Sequence, residues 1–262
     1  MDVATQNASL EAPIFRPATG GTWLPDQAAR GPFDGLQGGA VAALMCSQVE
    51  ALADADQLGF VASFNAHFLR PTPLEPLSVA CEPLRRGRRV NVVDVRLSAA
   101  SGLCAVARAT LIGALPNSAL PTPPRSPTDP AAFALTQRTA PHGGAWLMDE
   151  MEVRASDAGV VWFRLRRPIN DDAGPMSRVL PAADWAHGLG PPLGAANKPL
   201  AAIPNPDVSV RLFRAPRGSW IGVGAASAWS LDGVGAGWAS LSDEEGLIGQ
   251  VAMSIAVTLL QP

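Results

Sequence analysis

Several features that direct proteins to membranes or to nucleic acid are missing from this sequence. No apolar run reaches the ~18–20 residues needed to cross a bilayer, and the N-terminal segment lacks the basic and apolar regions of a signal peptide. The net charge is only −3 and 16% of residues are charged, which indicates neither a nucleic-acid surface nor an acidic tail. We therefore expect a cytoplasmic protein that binds no nucleic acid and no membrane.

Cysteine is also scarce. Cys46, Cys81 and Cys104 are widely spaced and form no CxxC motif. This pattern favours buried thiols in a reducing compartment over a disulfide framework or a zinc site. The sequence also lacks a metal-ligand cluster, a serine nucleophile elbow and a phosphate-binding or dinucleotide-binding glycine motif. We therefore expect no metal and no cofactor, and chemistry through an activated water is compatible with that expectation.

A similar pattern is present on either side of a proline-rich segment. Six prolines lie within residues 115–130, which excludes a helix or central strand and predicts an extended linker. When the second half is moved back by 144 positions, the difference between Arg214 and Arg70, LSDEEGLIGQVAMSIAVTL falls on LSAASGLCAVARATLIGAL. This match predicts an internal duplication. The predicted parts are an N-terminal domain at 1–114, a linker at 115–145 and a C-terminal domain at 146–262.

Each half contains the same predicted order of elements, one helix followed by a meander of strands. Gly38 and Gly39 open a helical pattern of apolar residues that ends near Asp54, before a turn at Gly59. Turn residues separate the strands that follow. We predict strands at 61–70, 76–84, 90–98 and 103–113, and at 207–214, 219–230, 234–242 and 247–259. The second helix is predicted over 180–188, starting near Pro181.

Five stretches of the sequence resemble the acyl-CoA thioesterase II family. They are FDGLQGGAVAAL, FNAHFLRPTPLEPLSV, LRRGRRVNVVDVRL, DVSVRLFRAPRGSWIGV and GVGAGWASLSDEEGLIGQVAMSIAV, in the family's order. The resemblance implies an α+β double hotdog, in which two tandem hotdog repeats form one continuous antiparallel sheet around two central helices. It also implies hydrolysis of an acyl-CoA thioester and, by analogy, association into a homo-oligomer such as a dimer.

The resemblance and the helix-start pattern select the candidate catalytic residues. Thioester hydrolysis needs donors for the developing oxyanion, and free N–H groups at a helix start supply them. Gly38 and Gly39 suit this role because glycine lets a ligand approach the backbone; alternatively, they only let helix and sheet pack closely. The offset places Asp184 beside this pair, in the first turn of the second helix, where the resemblance implies a water-activating Asp. The alternative is that Asp184 only complements the dipole of its helix.

The sequence departs from the family pattern at two positions that assist this Asp. Asn205 stands where the family has Thr or Ser, and its amide can still hold a water. Met253 stands where the family has Gln, and a thioether is only a weak acceptor. Gln250 is a poor substitute because it lies on the opposite face of the strand. A second function therefore stays open, a non-hydrolytic acyl-CoA or acyl-group binding protein on the same fold, as does a purely structural module.

Further residues are candidates for substrate binding. Arg85, Arg86 and Arg88 surround a glycine turn, where guanidinium groups suit the phosphates of coenzyme A; a solvated turn is the alternative. An acyl tunnel is expected beside the helices, and the residues predicted to line it are Leu44, Met45 and Trp185. Trp185 and Met253 are also predicted to contact the substrate. Finally, His187 follows Asp184 by one helical turn, a spacing that permits contact.

Overall fold

The computed structural model describes residues 12–115, 124–136, 143–188 and 201–259. Its main feature is a 13-stranded antiparallel sheet packed against two helices, α1 (Gly38–Asp56) and α2 (Pro175–Ala183). The first half contains β1 (Phe15–Ala18), β2 (Thr22–Pro25), β3 (Phe60–Phe68), β4 (Leu77–Arg85), β5 (Val90–Ala99) and β6 (Gly102–Ile112). The second half contains β7 (Ala134–Thr136), β8 (Met151–Ala155), β9 (Val161–Leu165), β10 (Ala201–Ala202), β11 (Asp207–Leu212), β12 (Ile221–Trp229), β13 (Val234–Asp243), β14 (Gly246–Ala256) and β15 (Thr258–Leu259).

The two halves of the large sheet have the same order of hydrogen-bonded strands. From its outer edge inward, the first half runs β1-β2-β4-β5-β6-β3 and the second runs β8-β9-β12-β13-β14-β11, with the short strand β7 outside β8. The strands β12, β13 and β14 begin and end 144 residues after β4, β5 and β6. At the centre, β3 and β11 pair antiparallel, with Ser63 opposite Arg211 and His67 opposite Asp207. The sheet is therefore continuous from one half to the other.

Helix α1 begins at the glycine pair, which confirms the sequence prediction. Its N-cap is Gln37, and it ends before Gln57, which adopts the left-handed conformation with φ 55°. Every residue from Gly39 to Ser47 is buried, and several of them are alanines. Because small side chains let neighbouring elements approach on all sides, α1 occupies the centre of the core between the sheet and α2.

The second helix is displaced from its predicted position. Helix α2 begins at Pro175 rather than near Pro181, which lies inside it, so Asp184 caps its C-terminal end. The predictions that this helix covers 180–188 and that Asp184 lies in its first turn were wrong. The start is fixed by proline at the first helical position, where a missing N–H costs nothing. The strand offset misplaces the helix because the connection to the next strand is longer in the second half.

Each helix is capped by a carboxylate from the other helix. Glu50 of α1 is buried and accepts hydrogen bonds from the N–H groups of Gly174, Met176 and Ser177 at the start of α2. Asp184, at the end of α2, accepts one from Gly39 at the start of α1. The two helices therefore run antiparallel, and each favourable N-terminal dipole faces a carboxylate.

Part of the predicted linker is described. Within 115–145, Pro130–Ala132 forms a short 3-10 helix and β7 pairs with β8 at the edge of the sheet. An edge position is where a proline-rich neighbourhood can be accommodated.

The three cysteines are free, and Cys46 and Cys104 are buried.

Candidate active site

The carboxylate of Asp184 lies where the start of α1 meets the end of α2, and only 5% of the residue is exposed. Its Oδ2 accepts hydrogen bonds from the Gly39 N–H at 2.9 Å and from Gln37 Nε2 at 2.6 Å. Its Oδ1 accepts one from Asn205 Nδ2 at 2.7 Å. The structure therefore brings together Asp184, Gly39 and Asn205, three of the residues that were predicted to be catalytic.

Gln37 is a member of this cluster that the sequence reasoning missed. As the N-cap of α1 it accepts a hydrogen bond from the Ala40 N–H through Oε1, at 2.7 Å. This bond fixes the amide so that Nε2 points at Asp184. The available signal was its position directly before the glycine pair, since a polar side chain there is placed to cap the helix.

The glycine pair is required by close packing. A Cβ on Gly39 would lie 2.7 Å from Asp184 Cβ and from the Leu180 carbonyl oxygen, and a Cβ on Gly38 would lie 2.9 Å from the Phe68 ring. The glycine pair therefore packs against α2, against its C-cap residue Asp184 and against the sheet. The Gly39 N–H is occupied by Asp184 and the Ala40 N–H by Gln37. Among the first three helical N–H groups, only that of Gly38 has no partner in the described residues.

Burial raises the pKa of Asp184, and the hydrogen bonds from Asn205, Gly39 and Gln37 and the charge of a protonated His187 oppose that rise. The dipole of α2 does not help to ionise the carboxylate, because Asp184 lies at the negative end of that helix. The positive end of α1 faces it instead. A carboxylate with a raised pKa is a better base than an ordinary Asp, which suits proton abstraction from water.

Two polar atoms beside Asp184 are buried without a partner among the described residues. They are Trp185 Nε1 and His187 Nδ1. The Trp185 ring packs edge-on against Trp146 at 6.2 Å and lies 6.0 Å from the His187 ring. Burial lowers the pKa of His187. Buried polar atoms without partners are rare in folded proteins, and a bound water or ligand commonly explains them.

Met253 lies on the inner face of β14 and is 5% exposed. It is paired with Gly237 of β13, and a Cβ on Gly237 would lie 2.9 Å from His187 Cα. The Met253 side chain thus belongs to the layer that contains His187. Gln250 is exposed on the other face of β14, so its amide does not replace the Gln of the family pattern.

The three arginines predicted to bind substrate are not brought to Asp184. Arg85, Arg86 and Arg88 are exposed at the turn between β4 and β5, and Arg86 forms an ion pair with Asp56 at 2.7 Å. Asp56 ends α1 whereas Asp184 contacts its start, a separation of about 25 Å at 1.5 Å per residue. Of the predicted tunnel residues, Leu44 and Met45 are fully buried in the core and Trp185 lies beside Asp184.

Two family models match the sequence over most of its length. The acyl-CoA thioesterase N-terminal domain matches residues 29–112, and the acyl-CoA thioesterase C-terminal domain matches residues 116–257. The chain therefore belongs to the acyl-CoA thioesterase family. A search of curated protein sequences finds no match.

Solved structures share the fold at low sequence identity. An acyl-CoA thioesterase II from Mycobacterium marinum is 18% identical, with 95% of this chain and 97% of that chain covered and a TM-score of 0.65. A protein with a hot dog fold from Alicyclobacillus acidocaldarius is 16% identical, with 97% and 98% covered and a TM-score of 0.70. These similarities assign the hotdog fold and an α+β class. None of the helices in the described ranges is long and apolar enough to span a bilayer.

Proposed function

We propose that the protein hydrolyses an acyl-CoA thioester and that Asp184 activates the attacking water. Family membership supports thioester hydrolysis in general. The specific proposal for Asp184 rests on the number of hydrogen bonds that its carboxylate accepts. Oδ2 receives two hydrogen bonds and Oδ1 receives one. A carboxylate has about four acceptor positions, so Oδ1 retains one for a water beside Asn205.

In the proposed reaction the water donates a hydrogen bond to Asp184 Oδ1 and attacks the thioester carbonyl carbon. The proton passes to Asp184 as the new C–O bond forms and the carbonyl oxygen becomes an oxyanion. Collapse of the tetrahedral intermediate breaks the C–S bond, and the proton on Asp184 passes to the departing thiolate. The products are a carboxylic acid and free coenzyme A, and Asp184 is regenerated.

The oxyanion needs donors that are not already engaged. The N–H of Gly38 meets this requirement, and so does Trp185 Nε1, which is buried without an acceptor. An unsatisfied buried donor carries a desolvation cost of about 1–3 kcal/mol, and a negative oxygen that forms in the transition state would remove it. This assignment keeps the proposed role of Gly38 and restricts that of Gly39 to holding Asp184.

Asn205 takes the place of the family's hydroxyl residue in this proposal. Its Nδ2 contacts both Asp184 Oδ1, at 2.7 Å, and the Asp207 carbonyl oxygen, at 3.2 Å. The second contact anchors the amide to the first residue of β11. Asn205 can therefore orient Asp184, and its own carbonyl oxygen remains available to the attacking water.

We propose further that the chain consists of two tandem hotdog repeats, at 1–114 and 146–262, joined by the segment 115–145. The equal strand order of the two halves and the constant offset of 144 residues support this duplication. A coenzyme A contact at Arg85, Arg86 and Arg88, association into a dimer and a cytoplasmic location remain predictions.

A second candidate function is binding of acyl-CoA without hydrolysis, and Met253 is the observation that favours it. One experiment separates the two functions. Release of free thiol is measured with acyl-CoAs from short to long chain, and binding is measured with a non-hydrolysable analogue. Hydrolysis by the wild-type protein, lost in Asp184→Asn while analogue binding persists, supports the enzyme. Binding of the analogue without thiol release at any chain length would establish the binder.

A further inference from the structure

A cavity of about 280 Å³ lies beside α2, and Asp184 is not among the residues that line it. Arg178, Pro181 and Ala182 line it from the helix, and they share one face because they are three and four residues apart. Phe163 of β9 and Ile221 of β12 line it from the sheet. Both are buried, with 2% and 4% exposure. The floor of the cavity is therefore apolar.

The mouth of this cavity is cationic. Arg166, Arg178 and Ser219 line it and are exposed. The side chains of Arg166 and Arg178 donate only to the backbone carbonyls of Asp149 and Gly218, and in the described ranges neither forms an ion pair. An exposed guanidinium group without a carboxylate partner can bind an anion through two parallel hydrogen bonds.

Other charged groups lie near the mouth, and in the described ranges none of them forms an ion pair with Arg166 or Arg178. Arg167 also lines the cavity, but it is paired with Glu150 and Asp26. The nearby carboxylate of Glu244 accepts hydrogen bonds from the backbone N–H groups of Ser219 and Trp220. Asp171 and Asp172 lie in an adjoining segment and do not line the cavity. Arg166 and Arg178 are therefore two guanidinium groups above an apolar floor that no described carboxylate pairs with.

We propose that this cavity binds a medium-chain fatty carboxylate, at a site separate from Asp184. The volume is near the lower end of the ~300–1,000 Å³ of small-molecule sites, which suits a single short alkyl chain. The arginines lie directly at the mouth, so the ligand must carry its charge next to the chain. A free carboxylate meets this condition, whereas a coenzyme A thioester carries its phosphates beyond the long pantetheine arm. The site itself does not depend on the proposed function. Only the statement that its ligand is also the product of the reaction rests on that function.

The charge requirement is tested by calorimetric titration of the intact protein with decanoate and with decanol, which has the same chain but no charge. Decanoate is expected to bind roughly tenfold more tightly or better, because charge-assisted hydrogen bonds form at the mouth. The double variant Arg166→Gln, Arg178→Gln should lose this preference. The matched control, Arg96→Gln with Arg211→Gln, removes two exposed arginines elsewhere and should retain it. Equal binding of decanoate and decanol by the wild-type protein would overturn the proposal.

The location is tested by closing the cavity. Ser219→Trp places a large ring at an exposed position of the mouth, and Ala182→Leu fills the floor from α2. Each should weaken decanoate binding at least tenfold while thermal unfolding shows that the protein remains folded. Asp184→Asn should bind decanoate as the wild-type does, whether or not the protein hydrolyses thioesters. Loss of binding in Asp184→Asn, unchanged binding in both filled variants, or no binding by the wild-type protein would each refute a separate site.

Discussion

Replacing Asp184 by Asn removes the charge and leaves the shape of the site nearly intact. The Asn oxygen can accept the hydrogen bonds that Oδ2 now receives from Gln37 and Gly39. Its NH2 group would then face Asn205, which can rotate its amide to present oxygen at the loss of one 3.2 Å bond to the Asp207 carbonyl. We therefore expect a folded variant whose only essential defect is the missing base.

The expected loss of hydrolysis is about 10²–10⁴-fold, the usual contribution of a positioned general base. The assay is release of free thiol from the acyl-CoA that the wild-type protein hydrolyses fastest. Asp184→Ala is the contrasting variant, because it leaves the donors of Gln37, Gly39 and Asn205 without an acceptor. At about 1–3 kcal/mol for each buried unsatisfied group, it should lose stability as well as activity. Near wild-type turnover in Asp184→Asn would refute the proposed base and leave Asp184 only a cap for α1.

Asp184→Asn also tests the direction in which the stability of the wild-type protein changes with pH. Burial raises the pKa of Asp184 above its unfolded value of 3.8, so the fold favours the protonated form. This contribution to stability is fully present below the unfolded pKa and is lost as pH rises through the folded pKa. Relative to Asp184→Asn, the wild-type protein should therefore lose stability across that window. Denaturant unfolding at a series of pH values measures the difference, and a difference that does not vary with pH would contradict the raised pKa.

Further predictions concern the neighbours of this carboxylate and the second cap. The rate of hydrolysis should fall as the pH is lowered, with a pKa above that of an ordinary Asp. Gln37→Ala should raise this pKa in the pH–rate profile, because it removes a hydrogen bond that stabilises the ionised Asp184. An unchanged pH–rate profile would contradict the role of Gln37. Met253→Gln should raise turnover by roughly tenfold, about 1.4 kcal/mol, if the site lacks only an amide, and equal or lower turnover would argue against that. Glu50→Ala should lower the free energy of unfolding by at least about 2 kcal/mol in denaturant titration, whereas exposed Glu82→Ala should change it little.

The long strands were predictable because their signals are local. Period-2 patterns and turn residues placed β4, β5, β6, β12 and β13 within two residues of their observed bounds, and β14 within three. Gly38 and Gly39 placed the start of α1. The short hairpins β1–β2 and β8–β9 were missed, since strands of four or five residues carry too little pattern to be distinguished from loops.

The position of α2 and the contacts of the site depend on tertiary structure. No local pattern gives the length of the connection that follows α2, so an offset taken from strands placed Asp184 at the wrong end of its helix. The hydrogen bond between Gly39 and Asp184 joins residues 145 positions apart. The sequence and its family resemblance selected Asp184, Asn205 and the glycine pair. Only packing of two antiparallel helices decided that the start of α1, with Gln37, faces Asp184, because a helix terminus is satisfied by whatever group the fold brings to it.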